Sequence, residues 1–220
     1  MERQMTKGHC YLCGAIVAKI GFFEAFFLQT FWREEAENQK CVLLKVEDAE
    51  DKVYWLYLDM PLTSTLKTLD TFLREIWLEC CGHMSAFYQR GGVEIGKSTK
   101  LESIPTGSVL FYEYDFGSTT ELRITFLHPV SRPKQRKAVR LLARNLPLPF
   151  ECGQCGEAAD YICCECDAME EYPFFCEKCL ASHEHEGCAL PVVNSPRMGV
   201  CAYCGEYDGY EYSDSAEKEG

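Results

Sequence analysis

Basic residues are scarce in this chain. Over 220 residues, 22 Lys and Arg stand against 34 Asp and Glu, for a formal charge of -12. A general polyanion binder neutralises phosphates with a surplus of Lys and Arg, so nucleic acid is not the expected partner. Long apolar runs are also missing. The most apolar stretch, Ile16 to Trp32, is interrupted by Lys19, Glu24 and Gln29, which a membrane-spanning helix would have to desolvate. The opening Met1-Glu-Arg-Gln-Met-Thr-Lys7 carries no apolar signal core. The expectation is a cytoplasmic protein without a membrane segment. No phosphate-binding glycine loop and no nucleophile beside a base are legible. Cysteine, by contrast, is abundant: there are 15, an odd number, with several in Cys-x-x-Cys pairs. In a reducing compartment such pairs mean metal rather than a disulfide framework.

The pattern along the chain predicts an α+β fold, a mixed sheet with one main crossing helix, followed by a small C-terminal zinc-binding domain. Phe22, Phe23, Phe26, Phe27 and Phe31 recur at helical spacing and predict a core-facing helix in an N-terminal segment, residues 1–40. In the domain assigned to residues 41–146, Cys41 to Glu47 and Val53 to Asp59 read as a hairpin around a charged turn. Leu66, Leu69, Phe72, Leu73, Ile76 and Trp77 mark the strongest helix, ending near Cys80-Cys-Gly82. Short strands follow at Ser85 to Tyr88 and Gly92 to Ile95, with a second hairpin from Val109 to Phe116 and Glu121 to Leu127. The basic run Arg132, Lys134, Arg136, Lys137, Arg140 and Arg144 reads as a solvated edge strand leading to a Pro-rich boundary at Pro147 to Pro149. The zinc-binding domain is assigned to residues 150–204. The acidic tail, 205–220, is too polar to pack.

The metal motif begins at Cys152-Gly-Gln-Cys155 and continues through Cys163-Cys-Glu-Cys166, Cys176-Glu-Lys-Cys179, His183, His185 and Cys188. Two zinc ions need eight sulfur or imidazole ligands in two tetrahedra, and two ligands in one tight knuckle can face one ion. Three knuckles and a Cys/His end supply eight, with Cys188 and His185 as alternatives for the last. Spacing allows an interleaved arrangement, with the first and third knuckles on one ion. It equally allows a sequential one, first with second. A full ligand set leaves no open position for catalysis, so the zinc reads as structural. Cys164 reads as a bystander. A third ion is allowed at Cys10 and Cys13 if they recruit Cys41, Cys80, Cys81 or His83, and Cys201-Ala-Tyr-Cys204 has no evident partner.

The segment Cys176-Glu-Lys-Cys179-Leu-Ala-Ser-His183, with the short knuckles before it, resembles the zinc-binding B-box, which implies alternating use of ligand pairs and so the interleaved site. Over most of the chain, Ile76-Trp-Leu-Glu-Cys-Cys-Gly-His-Met-Ser-Ala-Phe87 and Phe111-Tyr-Glu-Tyr-Asp-Phe-Gly117 resemble the plasmid pRi open-reading-frame-3-like family, the insertion-element passenger proteins. Leu141 to Asn145 and Pro191 to Gly199 are similar to its zinc-bearing members. That family often opens with a finger closed by a later His and Cys, where this chain has Ala25 and Gln29. The resemblance implies an α+β fold and no established activity.

The reading of function is a non-catalytic zinc-binding interaction or adaptor module for an unknown protein partner. One alternative is a DNA-associated accessory of a mobile element, resting on the basic run. The other is a hydrolase using Glu113 and Asp115 as a carboxylate pair near His83 and His128. The bland reading of those two acids is a solvated strand face, with Asp115 helping the Gly117 turn.

Overall fold

The computed structural model describes residues 6–17 and 38–205. The aromatic stripe Phe22 to Phe31, the positions Ala25 and Gln29, and all but the first residue of the acidic tail lie outside them. The chain divides into two compact units. The first takes its described residues from Met1–Leu73 and Met84–Leu146, the second from Arg74–His83 and Pro147–Tyr210.

The first unit is built on nine strands: β1 (Gly8–Cys10), β2 (Ile16–Val17), β3 (Gln39–Asp48), β4 (Trp55–Pro61), β5 (Ser85–Gln89), β6 (Glu94–Ile95), β7 (Val109–Tyr114), β8 (Thr120–Arg132) and β9 (Arg140–Asn145). They lie in the order β2-β1-β9-β4-β3-β8-β7-β5-β6. The α+β class holds, and where a mixed sheet was expected every pairing is antiparallel. Both expected hairpins form, β3 on β4 with Cys41 opposite Pro61, and β7 on β8 with Tyr114 opposite Thr120. Strand β7 alternates half-buried and buried residues, as a sheet with one covered face requires. Strand β4 is buried at all seven positions.

Helix α1 (Leu66–Leu73) buries Leu66, Leu69, Phe72 and Leu73. Its Asp70 accepts hydrogen bonds from Ser85 Oγ at 2.6 Å, Lys97 Nζ at 2.8 Å and the Tyr112 hydroxyl at 2.8 Å. Burial alone would raise this carboxyl, but the three donors outweigh it and hold the acid below its ordinary range. Gly8 of β1 is required by a close approach. A Cβ there would fall 2.0 Å from the ring of Trp55, which is fully buried.

The basic run departs most from expectation. Strand β9 is not an edge strand, because β1 pairs on its outer side and β4 on its inner side. Lys134, Arg136 and Lys137 are exposed in the connection before it, but the arginines at the strand ends turn inward: Arg132 Nε, at the end of β8, donates to Asp59 Oδ1 at 2.5 Å and Arg140 Nε, at the start of β9, to Asp59 Oδ2 at 2.8 Å. Asp59 is 1% exposed, and Arg132 and Arg144 are each 2% exposed. A buried carboxylate of β4 thus makes an arginine-rich segment acceptable in the middle of a sheet.

In the second unit, Arg74–Leu78 is a π-helical turn that follows α1 directly in the chain, with Glu79 N–H bonded to the Arg74 carbonyl at 2.8 Å. The sequence pattern reads this as ordinary helix, because Ile76 and Trp77 keep the apolar spacing. The remaining elements are β10 (Tyr161–Cys163), α2 (Cys164–Ala168), β11 (Phe174–Phe175), α3 (Glu177–Leu180) and β12 (Ala189–Pro191), with strand order β11-β10-β12.

Candidate metal centre

The knuckle at Cys152 is shaped by backbone. Gly156 N–H bonds back to the Cys152 carbonyl at 2.9 Å and Cys152 N–H to the Glu157 carbonyl at 2.7 Å. Gly156 supplies the left-handed turn at φ 75°, so that Cys152 and Cys155 point their sulfurs to one spot. The third knuckle closes across α3, where Leu180 N–H bonds to the Cys176 carbonyl at 3.0 Å. Cys155 Sγ lies 3.7 Å from Cys176 Sγ, and the sulfurs of Cys152, Cys155, Cys176 and Cys179 all lie within 4.8 Å of one another. For comparison, Zn–S bonds of roughly 2.3 Å in a tetrahedron set an S–S edge near 3.8 Å. Burial opposes ionisation of Cys152, yet backbone N–H groups of Cys176, Gln154 and Cys155 pull it down to about 6. Cys179 is pushed up to about 12, first by its hydrogen bond with Cys176 and then by that with Cys155. Four crowded thiols cannot all ionise unaided, and a divalent cation removes that conflict.

A second group gathers Cys163, Cys166, His183 and His185, again within 4.8 Å. Cys166 Sγ lies 3.2 Å from His183 Nε2 and 3.8 Å from His185 Nδ1. The His183 ring stacks on Phe175 at 4.2 Å between centroids, which fixes its plane, and His185 meets it edge-on at 5.2 Å. The first and third knuckles are therefore together and the second stands with the histidines, as in the interleaved arrangement. At the last position it is His185 that joins the group, while Cys188 is exposed and outside it. Cys164 donates to the Gly199 carbonyl at 3.2 Å and is a member of neither group. Thiolate and imidazole donors without a carboxylate suit a borderline-soft divalent cation, so both groups could hold metal.

The third site that the sequence allows at Cys10 and Cys13 is different. The two cysteines form a knuckle with the same backbone pattern, Gly14 N–H to the Cys10 carbonyl and Cys10 N–H to the Ala15 carbonyl, both at 2.9 Å, with Gly14 at φ 73°. Among the described residues no third and fourth ligand joins them. Cys41 is buried and donates to the Gln39 carbonyl at 3.5 Å. Cys80, Cys81 and His83 gather instead with Cys201. The local signals Cys80-Cys81-x-His83 and Cys201-x-x-Cys204 are legible, but not that they belong together, because 120 residues separate Cys81 from Cys201.

Glu113 and Asp115 stand in different surroundings, and neither lies on an open solvated strand face. Glu113 is half-buried on β7 opposite Glu121, and Asp115 leaves the strand at φ 65° with its Oδ1 accepting from Gly117 N–H at 3.0 Å. His128 is exposed on β8, and His83 belongs to the cysteine group.

No family model matches the chain, and no curated protein matches it. Neither comparison therefore supports the plasmid pRi or B-box resemblance. Among solved structures, the chain is similar to the crystal structure of a protein of unknown function from Methanosarcina mazei Go1, MM3350. The identity is 16% and the TM-score 0.43, over 54% of this chain and 75% of that one. Among the described residues no helix is long and apolar enough to cross a membrane.

Proposed function

We propose that the chain is a non-catalytic zinc protein of the B-box type whose acidic C-terminal lobe docks onto a basic surface of a protein partner. One zinc ion binds Cys152, Cys155, Cys176 and Cys179, and a second binds Cys163, Cys166, His183 and His185. The observation that carries this reading is the saturation of both groups. Four sulfurs in one and two sulfurs with two imidazoles in the other fill two tetrahedra, leaving no position for a reactive water. A reducing compartment keeps Cys-x-x-Cys pairs available as metal ligands rather than disulfides, so the cytoplasm is the location this reading implies. Kinship with the plasmid pRi family rests on sequence motifs and bears on fold alone.

The docking surface follows from charge. Glu151, Glu157, Asp160, Glu165, Asp167, Glu170, Glu171, Glu177 and Glu184 are all exposed, and the one basic residue from Glu151 to Cys188 is Lys178. An ion held by four thiolates adds a further net negative charge. Such a surface repels phosphate and steers basic protein faces. The test is capture from the native cell with the intact zinc-loaded chain and with the triple variant Glu165→Lys, Asp167→Lys, Glu170→Lys. The variant should retain its zinc and bind the captured partner at least roughly tenfold more weakly. Undiminished capture would remove the acidic face from the account.

A further inference from the structure

From the geometry of the second unit we infer a third metal site, formed by Cys80, Cys81, His83 and Cys201, which binds a divalent cation of the zinc class. It clips the loop after the π-helical turn to the segment leading into the C-terminus.

The four donor atoms lie within 4.8 Å of one another. Cys81 Sγ is 2.9 Å from His83 Nε2, 3.7 Å from Cys80 Sγ and 3.6 Å from Cys201 Sγ, and Cys201 Sγ is 3.5 Å from His83 Nε2. The separations of 3.7, 3.6 and 3.5 Å are close to the edges of a tetrahedron around one ion, the one between Cys81 and His83 being shorter, and the donor set is three thiolates and one imidazole. It is as complete as either group of the lobe.

In the folded unit, hydrogen bonds apart from the donors themselves fix the segments that carry them. Arg74 bonds Glu79 at 2.7 Å and the His83 carbonyl at 2.6 Å, while Glu79 accepts from Gly82 N–H at 2.6 Å, so the loop from Glu79 to His83 is braced from within. The far segment is tied to the π turn by Trp77 Nε1 donating to the Asn194 carbonyl at 3.1 Å and by Ser195 Oγ donating to the Trp77 carbonyl at 2.6 Å. Ligands presented by segments already fastened together cost less ordering entropy when the ion binds. Cys201 itself sits at φ 56°, a left-handed backbone that non-glycine residues seldom adopt.

Charge supplies an independent argument. Three thiolates and a neutral imidazole around a divalent ion leave a net charge of about -1, which a partly buried site must balance. Arg197 is fully buried, and its Nη2 lies 3.7 Å from Cys80 Sγ. A guanidinium in that place neutralises the complex and donates to a ligand sulfur, the kind of supporting contact that tunes a metal site. The Cys201 and Cys81 side is exposed, so the ion sits near the surface of the unit.

Cadmium-113 NMR of the intact chain, reconstituted with cadmium alone, reads the sites separately, because the resonance moves downfield with each added thiolate. The wild type should show an all-sulfur signal, a two-sulfur, two-nitrogen signal, and between them a three-sulfur, one-nitrogen signal. Cys201→Ser and His83→Ala should each abolish the middle signal and leave the other two, which also report that the lobe is folded. Absence of a middle signal in the wild type, or its persistence in both variants, overturns the third site. Loss of the outer signals in the wild type would count instead against the two lobe centres.

Discussion

Removing metal with a strong chelator should unfold the C-terminal lobe while the large sheet stays intact. The reason is what the lobe has for a core. Its buried cluster consists of Cys152, Cys163, Cys166, Phe175 and Cys176, with Cys179 and Leu180 packed against it. Five of those seven side chains are cysteines, so the proposed ligands make up most of that cluster. Without ions they become crowded thiols and thiolates, and the few aliphatics left cannot offset the entropy of ordering about fifty residues. Structural zinc contributes ~10–16 kcal/mol in small domains, and ions held at the two proposed centres would be enough to decide the folding of this lobe. The first unit has its own apolar core, in which Leu43, Trp55, Tyr57, Leu142 and Ala143 pack together with Cys10. Hydrogen exchange should therefore show amides of β10 to β12 losing protection on chelation while those of β3, β4 and β8 keep it. Loss of both sets together would show that the sheet also depends on metal.

Asp59→Asn should be among the most damaging substitutions in the sheet. The carboxylate receives Arg132 on one oxygen and Arg140 on the other, at positions 1%, 2% and 26% exposed for the three side chains. An amide keeps the shape but leaves two guanidinium groups without a counter-charge, one of them fully inside the protein. Breaking a buried pair in this way costs about 3–5 kcal/mol, a large share of a domain's stability. Denaturant unfolding followed through the sheet should show the loss. If Asp59→Asn were within about 1 kcal/mol of wild type, the arginines would have found other solvation and the cluster would not be what holds β9 between β1 and β4.

What could be read from the residues was what local spacing controls. The hairpins at Cys41 to Asp59 and Val109 to Leu127 show in alternation and turn residues, and the knuckles from Cys152 to Cys179 show in the geometry a tetrahedral ion demands. The sequence spacing left Cys188 and His185 as alternatives because both can reach the same point. The structure gathers His185, whose ring packs edge-on against His183. Strand β9 looked like an edge because its charges are local, whereas Asp59, which pairs with Arg140, is 81 residues away in sequence. The same limit applies to Cys81 and Cys201. A three-residue motif announces a ligand, but only the fold can say which distant motif completes the site. The π turn at Arg74–Leu78 escaped because a shift of hydrogen bonds from four residues to five leaves the apolar pattern almost unchanged.

In the proposed arrangement, ligand pairs interleave around two ions in the lobe. Anomalous scattering at the zinc edge from a crystal of the intact protein tests it most directly. One peak should lie among the sulfurs of Cys152, Cys155, Cys176 and Cys179, and another among Cys163, Cys166, His183 and His185. A peak coordinated jointly by Cys152, Cys155, Cys163 and Cys166 would contradict it.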